Sequence, residues 1–387
     1  MIRGRIPCLA VAVLLAGACH LDDAGLGPGR MVDGSATRDA QTTDALTPDA
    51  PSCPEMAPPV DLLFVVDNSA TMAEEQTAFA GAMGELVRAL ISGDLDADGT
   101  PDQLRAQDLH VGIVSTDMGT FGFVLPGCTD ATDGDDGVLL ETRTSHACPT
   151  AAPAIHAFGA GDTPADFVSE LGCAVRIGAA GCGLEQPLEA ALEALTPSTS
   201  SIEFAAMSRG HGDGANAGFL RPDSILAIVF LTDEDDCSAA DPRLFDPSST
   251  MYPLDLAVRC YAYPAALQPV SRYSEGLLAL VSSPDRLVVA TISGVPTALV
   301  GMSPAGILAA PDMEHRLEGT AMRPSCTDPV RGAAVPPRRM VRLASSLEGT
   351  GARLEIQSIC QDDLSPALRA VAARIGQAAA GPGCALP

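Results

Sequence analysis

The sequence predicts an α/β fold: a mostly parallel central sheet with helices on both faces. Two observations predict it. Short runs of apolar, β-favouring residues alternate with helical patterns from about residue 58 to 380. The chain has 387 residues, 47% of them apolar and none of them Trp, which leaves room for one large α/β domain with an aliphatic core.

The first strand covers 61–66. The helix after it, 73–92, places Phe79, Met83, Leu86, Val87 and Leu90 on one face and stops at Gly93. A second strand is 109–115, and 137–143 reads as an edge strand. A helix follows near 165–176. Another covers 187–195, with Pro187 in its first turn and Leu188, Leu192 and Leu195 on one face. The strongest later strand is 224–231, and another is 286–292. A helix near 337–348 precedes the last strand, 352–358. The final helix opens at Ser365-Pro366 and buries Leu368, Val371 and Ile375. The stretches 117–160, 199–222 and 296–335 read as loop insertions, and there is no internal repeat.

Charge excludes some functions. With 23 basic and 49 acidic residues the formal charge is −26, so nucleic acid and anionic membrane surfaces are poor partners. Acidity suits solubility and cation binding, although a plainly solvated acidic surface is the more common cause.

The N-terminus reads as a targeting segment. Arg3 and Arg5 precede a short apolar run, Cys8 to Gly17, too short to span a bilayer. Leu15-Ala16-Gly17-Ala18-Cys19 resembles a bacterial lipoprotein signal in which Cys19 is lipidated, although Ala16 stands where that signal usually has Leu. The alternative is an ordinary secretory peptide cut nearby. The lipoprotein reading implies residues 1–19 as signal, attachment to the cell envelope (outer membrane, or outer face of the inner membrane) and membrane contact by the lipid alone. Residues 20–57, rich in Asp, Gly, Ala, Thr and Pro, read as a disordered tether to a domain at 58–380, with 381–387 as a tail.

Setting aside Cys8 and Cys19, ten cysteines remain, an even count that in an exported chain reads as five disulfides. Near-neighbour pairing gives Cys128–Cys148, Cys173–Cys182, Cys237–Cys260 and Cys326–Cys360, with Cys53–Cys384 tying the domain's ends. No cysteine spacing matches a zinc site.

The chemistry is concentrated at residues 61–72, DLLFVVDNSATM. A buried strand ends in Asp67, Ser69 and Thr71, three hard oxygen donors at alternate positions, as a divalent cation such as Mg²⁺ requires. The alternative is a strand end whose Ser or Thr caps the next helix. In an open α/β sheet ligands bind at the carboxyl ends of strands, and Asp233 ends the strong strand 224–231.

At these residues the sequence resembles the von Willebrand factor A (VWA) family, whose adhesion site opens with Asp-x-Ser-x-Ser. FLRPDSILAIVFLTDEDDCS with GCGLEQPLEAAL is similar to VWA lipoproteins of myxobacteria and their relatives. The resemblance implies a three-layer Rossmann-like sandwich with long disulfide-stapled loop insertions. It implies Ser69 and Thr71 as direct Mg²⁺ (or Mn²⁺) ligands, Asp67 as a ligand often bridged by water, and Asp233 as the third-loop carboxylate. The family's second loop offers a Thr. Here Gly181 to Pro187 offers Glu185 instead, which adds negative charge and fills a position that relatives leave to a partner's carboxylate; Thr116 is a weaker candidate. The implied partner is a protein or peptide presenting a carboxylate, favoured by the positive end of the first helix.

A second acidic segment, Asp94, Asp96, Asp98-Gly99 and Asp102, resembles the start of a calcium loop, nearest to a single thrombospondin-type repeat, although Arg105 stands where an EF-hand has Glu. Its alternative is a plain acidic loop. Asp130, Asp133, Asp135 and Asp136 read as solvated, and His211, in RGHGDGANAG, as a surface residue. HExxH, GxSxG, GxGxxG and P-loop motifs are absent. Two other readings stand beside a binding module: a metal-free scaffold, and a two-metal hydrolase using 232–236 with Asp67 and Glu185.

Overall fold

The computed structural model describes residues 56–141, 148, 151–205 and 208–381. Six strands form the central sheet: β1 (Val60–Val66), β2 (Leu109–Ser115), β3 (Ile155–Phe158), β4 (Ile225–Leu231), β5 (Leu287–Ser293) and β10 (Arg353–Ser358). Their order is β10-β5-β4-β1-β2-β3, parallel except for β3, which runs antiparallel to β2. Two short hairpins stand outside it, β6 (Leu317–Glu318) with β7 (Ala321–Met322) and β8 (Cys326–Asp328) with β9 (Gly332–Ala334).

The strands are parallel because both faces are covered. In β1, Leu62, Phe64 and Val66 point into one core and Leu63 and Val65 into the other, and every residue of the strand is buried. The first core receives α1 (Ala73–Ser92), α2 (Pro164–Ala174) and α8 (Ser365–Ala380). The second receives α3 (Pro187–Leu195), α5 (Val270–Leu278) and α7 (Arg338–Leu347). Phe64 meets Phe79 of α1 edge-to-face at 5.3 Å, so the strand that carries the candidate site is locked to the helix that follows it. Two further short helices are α4 (Leu256–Ala262) and α6 (Pro304–Ala309). Among the described residues no helix is long and apolar enough to cross a membrane.

Several expectations are corrected. The edge strand is β3; of the expected strand 137–143, residues 137–141 are irregular and touch β2 through Leu140 N–H donating to the Ile113 carbonyl at 2.8 Å, and 142–143 lie outside the described residues. Helices α4 and α5 lie in a stretch where the sequence suggested none, because α4 spans only two turns and α5 starts behind Pro269 without a side-chain cap. Ser365 is the first residue of α8 rather than its cap; its N–H donates to Asp363 Oδ1 at 2.8 Å. The insertion 296–335 carries α6 and both hairpins.

Disulfides pair Cys237–Cys260 and Cys326–Cys360 as expected, but also Cys128–Cys182 and Cys148–Cys173 in place of Cys128–Cys148 and Cys173–Cys182. Near-neighbour pairing fails because the insertion after β2 folds back over the loop before α3 and over α2, bringing cysteines 54 and 25 residues apart together. Cys53, Cys384, Cys19, the signal and the tether to residue 55 lie outside the described residues, as does the tail from 382.

Two measurements check this fold. Peptide mapping without reduction is expected to return the Cys128–Cys182 and Cys148–Cys173 links, and recovery of Cys128–Cys148 would contradict the packing of the insertion. Phe64→Ala is expected to cost about 3–5 kcal/mol in denaturant unfolding, since it empties a fully buried site between sheet and helix.

Candidate metal site at the carboxyl ends of β1 and β4

The chain runs outward from β1 through β2 to β3, then returns to β4 on the other side of β1, so strand order reverses between β1 and β4. Val66 pairs with Leu231, and Asp67 N–H donates to the Leu231 carbonyl at 2.9 Å. Asp67 and Asp233 therefore leave neighbouring strands at the same level.

Asp67 is fully buried. Its Oδ1 accepts from Ser69 N–H at 2.8 Å and its Oδ2 from the Thr232 hydroxyl at 2.7 Å. The Ser69 and Thr71 hydroxyls lie 3.3 Å apart. Neither caps α1: Met72 occupies the capping position and no side chain bonds there, which removes the capping alternative. Ala70 and Thr71 are exposed, so the site meets solvent on this side. Gln76 fixes the pentad from behind, its amide donating to the Asp67 and Gly178 carbonyls at 2.8 Å each.

The second loop packs against this turn. Gly181 N–H donates to the Asn68 carbonyl at 2.7 Å, and a Cβ on Gly181 would stand 2.1 Å from Asn68 Oδ1, so a larger residue would displace the Asn68 side chain. Glu185 is buried. Gln186 N–H donates to the Thr116 carbonyl at 2.9 Å and Cys237 N–H to the Glu185 carbonyl at 2.8 Å, which fixes the loop between β2 and the third loop.

The acidic run after β4 divides in two. Asp233 and Glu234 turn toward Asp67, with the Tyr261 hydroxyl donating to Glu234 at 3.1 Å. Asp235 and Asp236 turn away. Asp235 accepts from Arg339 N–H at 2.8 Å in the first turn of α7. Asp236 accepts from Leu188 N–H at 3.0 Å in the first turn of α3 and pairs with the Arg339 guanidinium at 2.8 Å. Two carboxylates of the run thus anchor helix starts. The sequence did not separate them from the other two, and it missed Glu234 as a member of the cluster.

Burial dominates the electrostatics. It raises the Asp67 carboxyl against the pull of Ser69 N–H and the Thr232 hydroxyl. It raises Glu185 well above the usual range, with Glu234, Asp67 and Asp233 adding repulsion. Burial, then Asp67 and Glu234, push Asp233 up to about 8. Burial, then Asp67, push Glu234 up to about 7 despite a hydrogen bond to Glu185. Among the described residues, five buried oxygens around this site have no hydrogen-bond partner: Asn68 Oδ1, Glu75 Oε2, Thr116 Oγ1, Glu185 Oε1 and Asp233 Oδ1. A hard divalent cation fits such a set, since it supplies the missing positive charge and accepts the orphaned oxygens.

The other acidic segments arrange differently. Asp94, Asp96 and Asp102 bring carboxylate oxygens within 4.8 Å of one another, and Asp98 is not part of that group. The loop already satisfies itself: Asp94 accepts from Ala97 and Gly99 N–H at 2.7 and 2.9 Å, Asp102 from Leu95 N–H at 2.7 Å, and Arg88 stands 3.7 Å from Asp94. The Asp130–Asp136 loop is not simply solvated. Asp135 accepts from the Ser115 hydroxyl at 2.6 Å and from the Asn68 amide at 3.3 Å, and Asp136 accepts from His211 at 3.0 Å. His211, expected at the surface, is only partly exposed.

Compared with known proteins, the chain matches no family model, and no curated protein matches it.

A pH dependence follows from the carboxyls. Their pKa values in the folded chain lie above the ordinary carboxylate range, so between about pH 4 and about pH 8 the folded chain holds more protons than the unfolded one and stability falls as pH rises. In chelator, the melting temperature is expected to drop from pH 5.5 to pH 8, and Mg²⁺ or Mn²⁺ to offset the drop. A melting temperature that climbs across this window would contradict the burial of these groups.

Proposed function

We propose that the chain is an exported, lipid-anchored, VWA-like three-layer domain that works as a binding module rather than an enzyme. It holds Mg²⁺ (or Mn²⁺) through Asp67, Ser69, Thr71, Glu185 and Asp233, and through that ion engages a carboxylate on a protein or peptide ligand. One observation carries the reading. Three buried carboxyls, Asp67, Glu185 and Asp233, and the half-buried Glu234 converge at the strand switch point, Glu185 and Asp233 each with an orphaned oxygen, while the Arg339 guanidinium is already paired with Asp236. Burying so much like charge without a counter-ion costs several kcal/mol.

Binding is favoured over hydrolysis because Asp235 and Asp236, two of the four carboxylates of the run, are committed to helix starts and to Arg339 and so are withheld from a second metal. The exposed Ala70 and Thr71 give a ligand carboxylate its approach, beside the start of α1.

Calorimetric titration of the full-length, disulfide-intact protein with Mg²⁺, Mn²⁺ and Ca²⁺ tests the site. Asp67→Ala is expected to weaken Mg²⁺ and Mn²⁺ binding by more than about 100-fold with the fold retained, and Thr232→Val, which releases the Asp67 carboxylate, by about 10–100-fold. Unchanged affinity in Asp67→Ala would leave the metal-free scaffold. Asp235→Ala is expected to lower stability by about 1 kcal/mol through loss of the α7 anchor without altering cation stoichiometry. Loss of a bound ion in that variant would favour the two-metal reading.

A further inference from the structure

Away from the strand switch point, Asp136, Glu193 and His211 place one ligand atom each within 4.8 Å of the others. Three distant segments supply them: the insertion after β2, the last turn of α3, and the glycine-rich loop before β4. Their meeting is built rather than incidental. Buried Asn216 accepts from Leu139 N–H at 2.9 Å and donates to the Gly137 carbonyl at 2.9 Å and the Ala194 carbonyl at 3.0 Å, so one amide ties the flanks of Asp136 and Glu193 to the loop that carries His211. His211 N–H donates to the Glu193 carbonyl at 2.9 Å. On either side of His211, a Cβ on Gly210 or Gly212 would stand 2.1 or 2.3 Å from a carbonyl oxygen at the end of α3, so the loop reaches the helix only because both are glycine.

The second observation is Glu193 itself. The residue is 0% exposed, Oε1 accepts from the Ser208 hydroxyl at 2.8 Å, and Oε2 has no hydrogen-bond partner. Arg272, which faces this part of α3, is already paired with Glu189 at 2.8 Å. His211 Nε2 stands 3.0 Å from Asp136 Oδ2, close to the spacing of about 3.3 Å between two ligand atoms of a tetrahedral ion with bonds near 2.05 Å. The Asp136 side chain keeps 31% of its exposure, which leaves an entry path.

We infer that Asp136, Glu193 and His211 form a second metal site, independent of the Asp67 site, for a first-row transition cation of the Zn²⁺ class. One imidazole and two carboxylates suit Zn²⁺ better than Mg²⁺, because imidazole nitrogen is a borderline ligand and the Asp67 set is all oxygen.

The test titrates the full-length, oxidised protein with Co²⁺, following visible absorption, and then displaces Co²⁺ with Zn²⁺. The expected result is one saturable equivalent of intense, tetrahedral-type visible absorption, distinct from the weak absorption of Co²⁺ at the all-oxygen Asp67 site, that persists in Asp67→Ala and is lost, with affinity down by at least about 100-fold, in His211→Ala and in Glu193→Gln. Glu193→Gln keeps the size of the buried side chain, and Asp136→Asn changes a partly exposed one, so these variants decide the matter if His211→Ala misfolds by circular dichroism. No saturable Co²⁺ equivalent of that kind, or one indifferent to all three substitutions, overturns the assignment and leaves an Asp136–His211 hydrogen bond beside a buried Glu193. An equivalent lost only in Asp67→Ala overturns it equally, assigning all binding to the first site.

Discussion

The pairing of β1 with β4 is the constraint on which the rest depends. Once Val60 to Val66 lie in register with Ile225 to Leu231, the residues that follow each strand must emerge together at one edge of the sheet. Helices cover both faces, so that edge is walled by α1 on one side and α3 on the other, and Asp67, Glu185 and Asp233 are withdrawn from water there while Thr71 stays exposed. The sequence places carboxylates at this point. Their protons are held tightly for the same reason the strands are stable: the surroundings are apolar and dry.

The two poles of β1 handle buried acid in opposite ways. At the start of the strand, Asp61 is fully buried, accepts from the Arg221 backbone N–H at 2.6 Å and pairs with the Arg221 guanidinium at 2.7 Å. Arg221 also donates to the Val60 carbonyl at 3.1 Å, so this pair pins the loop before β4 to the base of the sheet. At the other end, Asp67 has two neutral donors and, among the described residues, no basic partner, with more carboxyls beside it. The chain thus neutralises one buried aspartate with arginine and surrounds its counterpart with further acid, whose carboxyls are pushed toward the protonated form. The division of the run after β4 sharpens the contrast: Asp235 and Asp236 receive helix N–H groups and Arg339, whereas Asp233 and Glu234 receive hydroxyls and each other's charge.

Much of this frame was legible in the sequence because its information is local. Buried parallel strands are written as continuous apolar runs, and ILAIVFL cannot be solvated on either face. Amphipathic helices such as α1 and α8 repeat their apolar positions every three or four residues. Asp67 and Asp233 were visible as strand ends. What escaped depends on contacts between distant segments. The pairing of Cys128 with Cys182 follows from how the insertion folds back, and β3 is a strand only because β2 offers it an edge. His211 reads as a loop histidine until residues 136 and 193 are brought beside it, and nothing in 209–218 announces that meeting except glycines spaced to allow a close approach.

The insertion between β2 and β3 ties these features together. Asp135 and Asp136 are adjacent, and Asp136 adopts a left-handed φ of 53° that sends the two side chains to different partners. Asp135 is held by Ser115 and Asn68, the residue between Asp67 and Ser69; Asp136 is held by His211. The backbone strain of an αL aspartate persists only where surrounding contacts over-determine it, and here they do so from both sides. The same turn therefore braces the Asp67 pentad through Asn68 and closes the histidine cluster through Asp136. Gly134 makes this possible, since a Cβ there would stand 2.4 Å from both Asp117 Oδ1 and Gly119 N. Asp117 in turn accepts from Cys182 N–H at 3.1 Å, next to the disulfide that staples the insertion to the second loop. The insertion is thus a structural member of both acidic sites.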